Sequence, residues 1–237
     1  KIWGGIVNSS RAWGSSVNSF VSNLHAAEKH EQSEIYSIQK KIIYRHIGWL
    51  YALRSQLLIP TEWEHIKQKG LVGFYAKLRQ KKYGIGHLDK DLTKKAMLEF
   101  LPDLEYDILL GYKNTATQII NQQAQDLKKL RELGLIDDFR HMTLQKLLNE
   151  FYTEQGKLER IKKFPLPRQY GSISFILVGI FISILPFGML PLFQNMGPAG
   201  LILSVPITAL VAWVYLVMEL VGDYSENPFE GTANDIP

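Results

Sequence analysis

The chain has 237 residues, of which 21% are charged, and a net charge of +4 at pH 7. Its basic residues are spread among many acids and form no dense patch, so they read as solvated faces and not as a nucleic-acid surface. It has no cysteine, which excludes disulfides, thiolate metal sites and a cysteine nucleophile.

The first residue is Lys1 and not Met, and no signal peptide is expected from these residues. The chain opens directly in an apolar-periodic pattern, and the expectation is that its natural N-terminus lies upstream. Trp3, Ile6, Val7, Trp13, Val17, Phe20, Val21 and Leu24 recur largely at three- and four-residue steps and predict one long amphipathic helix. Lys40 to Leu58 predicts a second helix, apolar nearly all round and therefore buried, which Ile59-Pro60-Thr61 ends. Lys81 to Leu88, with Gly84, Gly86 and flanking charges, reads as a loop. Leu98, Leu101, Leu104 and Ile108 predict a helix broken near Pro102. Ile120, Ala124, Leu127 and Leu130 mark another, stopped by Gly134. Leu144, Leu147, Leu148, Phe151, Leu158 and Ile161 mark the last before Pro165 and Pro167. No stretch alternates with period two for long enough to be a strand, and no internal repeat or low-complexity segment appears.

From Gln169 to Met218 there is no Asp, Glu, Lys, Arg or His. The stretch divides at Phe193-Gln194-Asn195-Met196-Gly197-Pro198 into 170–192 and 199–218. Each half has the length a helix needs to cross a hydrocarbon core of roughly 30 Å. Lipid offers no partner to a free backbone amide, so such spans are helical. A pair of buried core helices in a soluble protein is the alternative, but adjacent segments of this length and apolarity are rare in a soluble fold of this size. Lys157, Arg160, Lys162, Lys163 and Arg168 precede the first span against a single Glu159, which puts that side in the cytoplasm. The uncharged turn suits the outside. Pro186, Pro191, Pro198 and Pro206 interrupt the spans, as is tolerated where neighbouring helices or a wet cavity re-satisfy the backbone. The predicted architecture is all-α: a helical cytoplasmic body over 1–168, a transmembrane hairpin over 169–221, and a cytoplasmic tail over 222–237.

Enzyme chemistry is hard to find. Gly84-Ile85-Gly86 lacks the further glycine and the strand context of a phosphate loop. His25, Glu28, His30 and Glu31 lie close in sequence, but the five-residue step between the histidines points them apart, so a solvated face is the expectation and no metal or cofactor is assigned. His46 and Trp49 read as packed and hydrogen-bonded. His65, His87 and His141 have no partner that spacing reveals, and no serine sits in a nucleophile elbow. The chain is not read as an enzyme.

Several segments, in order, resemble the bestrophin family. Lys1-Ile2-Trp3-Gly4-Gly5-Ile6-Val7-Asn8-Ser9-Ser10-Arg11 is similar to the segment after the family's second membrane helix, whose Arg-x-x-Trp-Gly arginine would fall just before Lys1. Tyr44-Arg45-His46-Ile47-Gly48-Trp49-Leu50-Tyr51-Ala52-Leu53 resembles a cytoplasmic helix of bacterial members. Leu147-Leu148-Asn149-Glu150, then Pro165-Leu166-Pro167-Arg168-Gln169-Tyr170, resembles the approach to the third membrane helix. Leu185-Pro186-Phe187 and Asn227-Pro228-Phe229 resemble the remaining landmarks, the last being the motif after the fourth membrane helix.

The resemblance implies a homopentameric anion channel in a membrane, passing chloride and other small anions through one axial pore. It implies that 1–24 continues a membrane helix lying upstream of Lys1, where the family's apolar neck would be. It places a second constriction, at the cytoplasmic exit, at Phe139, after Leu130-Arg131-Glu132-Leu133-Gly134. Five phenylalanine rings would form an apolar gate with partly positive edges. Phe139 is equally readable as a packing residue at a helix–helix corner, since Asp137 and Asp138 beside it are odd neighbours for an anion path unless they point away. The family's eukaryotic members clasp calcium in an acidic run after Asn-Pro-Phe. Here Glu230-Gly231-Thr232-Ala233-Asn234-Asp235 offers few of the oxygens calcium needs, and no calcium gating is expected. The resemblance to prokaryotic members implies a bacterial inner membrane. Two other classes stay open: a secondary transporter, which predicts ionisable groups within the spans, and a non-transporting scaffold whose helical body binds proteins.

Overall fold

The computed structural model describes residues 1–23, 25–62, 64–67, 69, 73–74, 76–78, 81, 90–163, 168–226 and 228–229. Leu24, the Gly84–Gly86 turn with His87, Pro165, Pro167, Asn227 and the Glu230–Asp235 run lie outside them. The described residues are helical and connecting, with no strand among them. The chain forms two compact units, 1–163 with 229–237, and 164–228.

In the first unit, α1 (Ile2–Phe20) and α2 (Gln32–Leu58) are followed by a 3-10 turn (His65–Lys67), α3 (Lys90–Phe100), α4 (Asp103–Leu110), α5 (Thr115–Glu132) and α6 (Asp138–Lys163). The expected helix beginning at Lys40 starts at Gln32, because Glu31 and Glu34 form a reciprocal cap: Glu34 Oε2 accepts from the Glu31 amide at 3.2 Å. The break at Pro102 separates α3 from α4, as a residue without an amide proton requires. Leu101 is buried, whereas Leu104 and Ile108 on α4 are exposed.

Helix α2 is the centre, packing against α1, α3, α5 and α6. Leu101, just past the end of α3, packs closely on Gly48, where a Cβ would lie 3.0 Å from its Cγ. Against α1 and α6 the centre is aromatic. Trp13, Trp49 and Phe151 are fully buried, with Trp49 and Phe151 ring centroids 5.0 Å apart. Burial of each such side chain contributes about 1.5–3 kcal/mol.

Several polar groups inside this core are paired, though the amide of Gln123 and Trp13 Nε1 have no hydrogen-bond partner among the described residues. Trp49 Nε1 donates to Gln155 Oε1 at 3.0 Å, and Gln155 Nε2 donates to Thr117 Oγ1 and Glu159 Oε1, each at 2.8 Å. His46 lies 2.9 Å from Ser10 Oγ and within 4.6 Å of the Phe151 ring centre. Burial holds the His46 pKa down at about 3. Arg45, also buried, sits between two carboxylates, Glu105 on α4 and Asp126 on α5.

The second unit is the pair α7 (Arg168–Gln194) and α8 (Gly197–Glu226). Both carry an apolar stretch long enough to cross a membrane, Ile173–Gln194 and Gly197–Gly222. Pro186 and Pro191 lie inside α7 and Pro206 inside α8. Most side chains of the pair are exposed apolar groups, which water would not tolerate over such a length. The helices meet through Phe181 and Tyr215, ring centres 4.6 Å apart, and through Ser174 Oγ, which donates to Glu219 Oε2 at 2.7 Å.

Candidate functional site

The corner between α5 and α6 carries Phe139. Helix α5 stops in a Schellman turn: Leu135 N donates to Leu130 O at 2.9 Å and Gly134 N to Arg131 O at 3.0 Å. Gly134 has φ 71°, and a Cβ there would run into the carbonyl of His25, so the position admits only glycine. Helix α6 starts under Asp137, whose Oδ1 accepts from Arg140 N at 2.8 Å, the bond that caps an N-terminus. Phe139 therefore occupies the first turn of α6.

Its side chain is 83% exposed. It does not pack at a helix–helix corner of this chain. Met142, one turn on, and Leu133, at the end of α5, are exposed as well. Three apolar side chains at the end of α5 and the start of α6 are thus exposed.

The two acids beside the ring are both occupied. Asp138 is paired with Arg131. Asp137 Oδ2 lies 3.3 Å from Arg140 Nε and 3.5 Å from His25 Nε2. Neither carboxylate is an unpaired negative charge next to Phe139. Sequence spacing offered a signal for the second pair, Asp137 with Arg140, that the sequence reading did not use, since the two are one helical turn apart. It did not reveal the first, which closes across the turn, or His25, which comes from a distant segment.

The other residues singled out by sequence do not gather here. His30 turns to Glu34, 3.2 Å away, and so separates from His25. Pro228 is half-buried and Phe229 buried; the ring of Phe229 lies 5.8 Å from Lys162 Nζ, which is itself bonded to buried Glu64 at 2.5 Å. Phe229 is thus a core residue of the first unit.

Helix α1 has a distinctive outer face. Among its nineteen residues Arg11 carries the only charge. Gly4, Asn8, Arg11, Ser15 and Asn18 are exposed, opposite the buried Ile6, Trp13 and Val17.

A sequence model of the bacterial/fungal bestrophin protein family matches residues 1–237. The voltage-dependent anion channel-forming protein YneE of Escherichia coli (strain K12) is 23% identical over 150 residues, 63% of this chain and 47% of that protein. The voltage-dependent anion channel-forming protein mll4386 of Mesorhizobium japonicum is 24% identical over 151 residues, 64% of this chain and 46% of that protein. The chain therefore spans about half the length of these curated relatives. The crystal structure of a bacterial bestrophin homologue from Klebsiella pneumoniae superposes with a TM-score of 0.73 at 16% identity, covering 100% of this chain and 70% of that one.

Proposed function

The chain belongs to the bacterial/fungal bestrophin family, and from that premise we propose that it is a subunit of a homopentameric channel passing chloride and other small anions. The observation that carries the reading is the hairpin: fifty residues from Gln169 to Met218 without an ionisable side chain, joined in one chain to a helical body. A secondary transporter needs polar or ionisable groups to bind its substrate at mid-membrane. A hairpin that is apolar on nearly all its surface serves as a lipid-facing wall instead, with the conducting path elsewhere. The lipid bilayer, in a bacterial inner membrane, is then its second partner.

The body supplies that path. Phe139 is the constriction at the cytoplasmic exit, a ring of five in the assembly; its exposure and the pairing of Asp137 and Asp138 favour this. Such an apolar ring gates by dewetting. The outer face of α1 suits the wall of the wider part. It is wettable and free of negative charge, and Arg11 there has no carboxylate partner among the described residues. The family motif Asn227-Pro228-Phe229 serves as an anchor of the tail, through the buried Phe229 ring. No catalysis, metal or cofactor is assigned, and the current is expected to be independent of calcium.

Purified protein in liposomes tests the proposal. A chloride efflux from loaded vesicles, with a pentameric mass in detergent, is expected. A stable monomer, or pentamers that pass no anion, would overturn it.

A further inference from the structure

The Phe139 ring touches little that could hold it, so its place is set by the backbone of the first turn of α6. The Schellman turn and the Asp137 cap shape that corner from within. What fixes the corner to the rest of the body is a different question, and the side chain next in sequence answers it.

Arg140 reaches back to the end of α1. Its Nη1 donates to the carbonyl of Phe20 at 2.9 Å and to Ser22 Oγ at 3.2 Å. Its guanidinium carbon lies 5.8 Å from the centre of the Phe20 ring. Its Nε meets Asp137 Oδ2, on the cap of its own helix, at 3.3 Å. Beside it, Ser22 N donates to Leu135 O at 3.0 Å. One planar group thus ties the last turn of α1 to the first turn of α6. The Phe20 carbonyl is also one that α1 itself leaves without a helical partner, as at any helix C-terminus.

We infer that Arg140 is the positioning residue of the Phe139 constriction, locking the first turn of α6 to the end of α1 so that the ring follows α1. The inference rests on the constriction reading of Phe139 and adds the lever that sets it. Helix α1 lies along the proposed path, so a displacement of its end reaches the first turn of α6 through this side chain, beside the backbone bond from Ser22 to Leu135. Lysine would not substitute: a single ammonium lacks the fork that serves Phe20 O, Ser22 Oγ and Asp137 together.

Single-channel recording of the full protein in planar bilayers tests this, with oligomer mass checked for each variant. Arg140→Gln and Arg140→Lys are both expected to replace the steady open current by fluctuating sub-levels, leaving the pentamer intact. In a Phe139→Ala background the same two changes are expected to have no effect. These 237 residues have no cysteine, so Phe139→Cys places one thiol among them; with any cysteine elsewhere in the full protein replaced by serine, Arg140→Gln is expected to raise its rate of modification by a charged thiol reagent several-fold. Should Arg140→Gln fail to assemble, Ser22→Ala removes one acceptor while leaving the arginine paired, and is expected to give the same effects at smaller size. Wild-type currents and thiol rates in these variants, with Phe139→Ala still altering conductance, would overturn the lever and leave the constriction standing. A wild-type current in Arg140→Lys would show that charge alone suffices and would also overturn it. If Phe139→Ala itself leaves conductance unchanged, the constriction reading falls and the lever with it.

Discussion

Arg45 donates from Nε and Nη2 to the two carboxylate oxygens of Glu105 at 2.7 and 2.6 Å, with the guanidinium almost wholly buried. Its remaining nitrogen meets Asp126. One residue of α2 thereby fastens α4 and α5. Removing one member of a buried ion pair leaves an uncompensated charge, at a cost of about 3–5 kcal/mol. Arg45→Met is therefore expected to lower the midpoint of thermal unfolding in detergent severely, and Arg45→Lys to fall well short of wild type because it cannot make the paired bonds. Fluorescence melting of the buried tryptophans measures both.

His46 makes the body sensitive to acid. Its pKa is lowered from 6.5 to about 3 by burial. Between those values the unfolded chain binds the proton and the folded chain does not, so stability falls as pH falls. For this one group the slope reaches about 1.4 kcal/mol per pH unit. Denaturant midpoints taken from pH 7 down to 4 are expected to decline, and His46→Gln is expected to flatten the decline. An unchanged slope in that variant would assign the acid sensitivity to other groups.

Arg131 is expected to tune ion preference without touching an ion. It neutralises Asp138, the neighbour of Phe139. Arg131→Gln leaves that carboxylate unpaired beside the ring, a fixed negative charge near the proposed constriction. Reversal potentials in a salt gradient are expected to shift toward cations, and Arg131→Gln combined with Asp138→Asn to restore the original value.

Ser174 and Glu219 hold the hairpin by a hydrogen bond between its two helices. Interhelical bonds of this kind contribute about 0.6 kcal/mol on average in a bilayer, up to about 1.7. Ser174→Ala is expected to cost an amount in that range, read from detergent-induced unfolding, while Glu219→Gln keeps an acceptor and costs less.

The hairpin and the run of helices were legible in the sequence because each rests on a local pattern: absence of charge over a bilayer's thickness, apolar spacing, and proline or glycine at the ends. The start of α2 was not. Its cap uses Glu31, where serine, threonine, asparagine or aspartate is the usual signal, and Gln32 to Gln39 offers only Ile35 and Ile38 as apolar landmarks. The ties around the Phe139 corner were invisible for a different reason. Arg140 joins Phe20 and Ser22, and Arg45 joins Glu105 and Asp126, across distances in the chain at which no spacing rule operates. The resemblance pointed to Phe139, but its exposure and the occupied state of both neighbouring acids needed the folded corner.

The bond between Ser174 and Glu219 also has a place in time. Serine stands near the start of the first long apolar helix and the carboxylate near the end of the second, forty-five residues later. During synthesis it closes only after both have been made and folded back on each other. Until then the carboxylate lacks this partner, and the closing of the bond marks the moment at which the pair is complete.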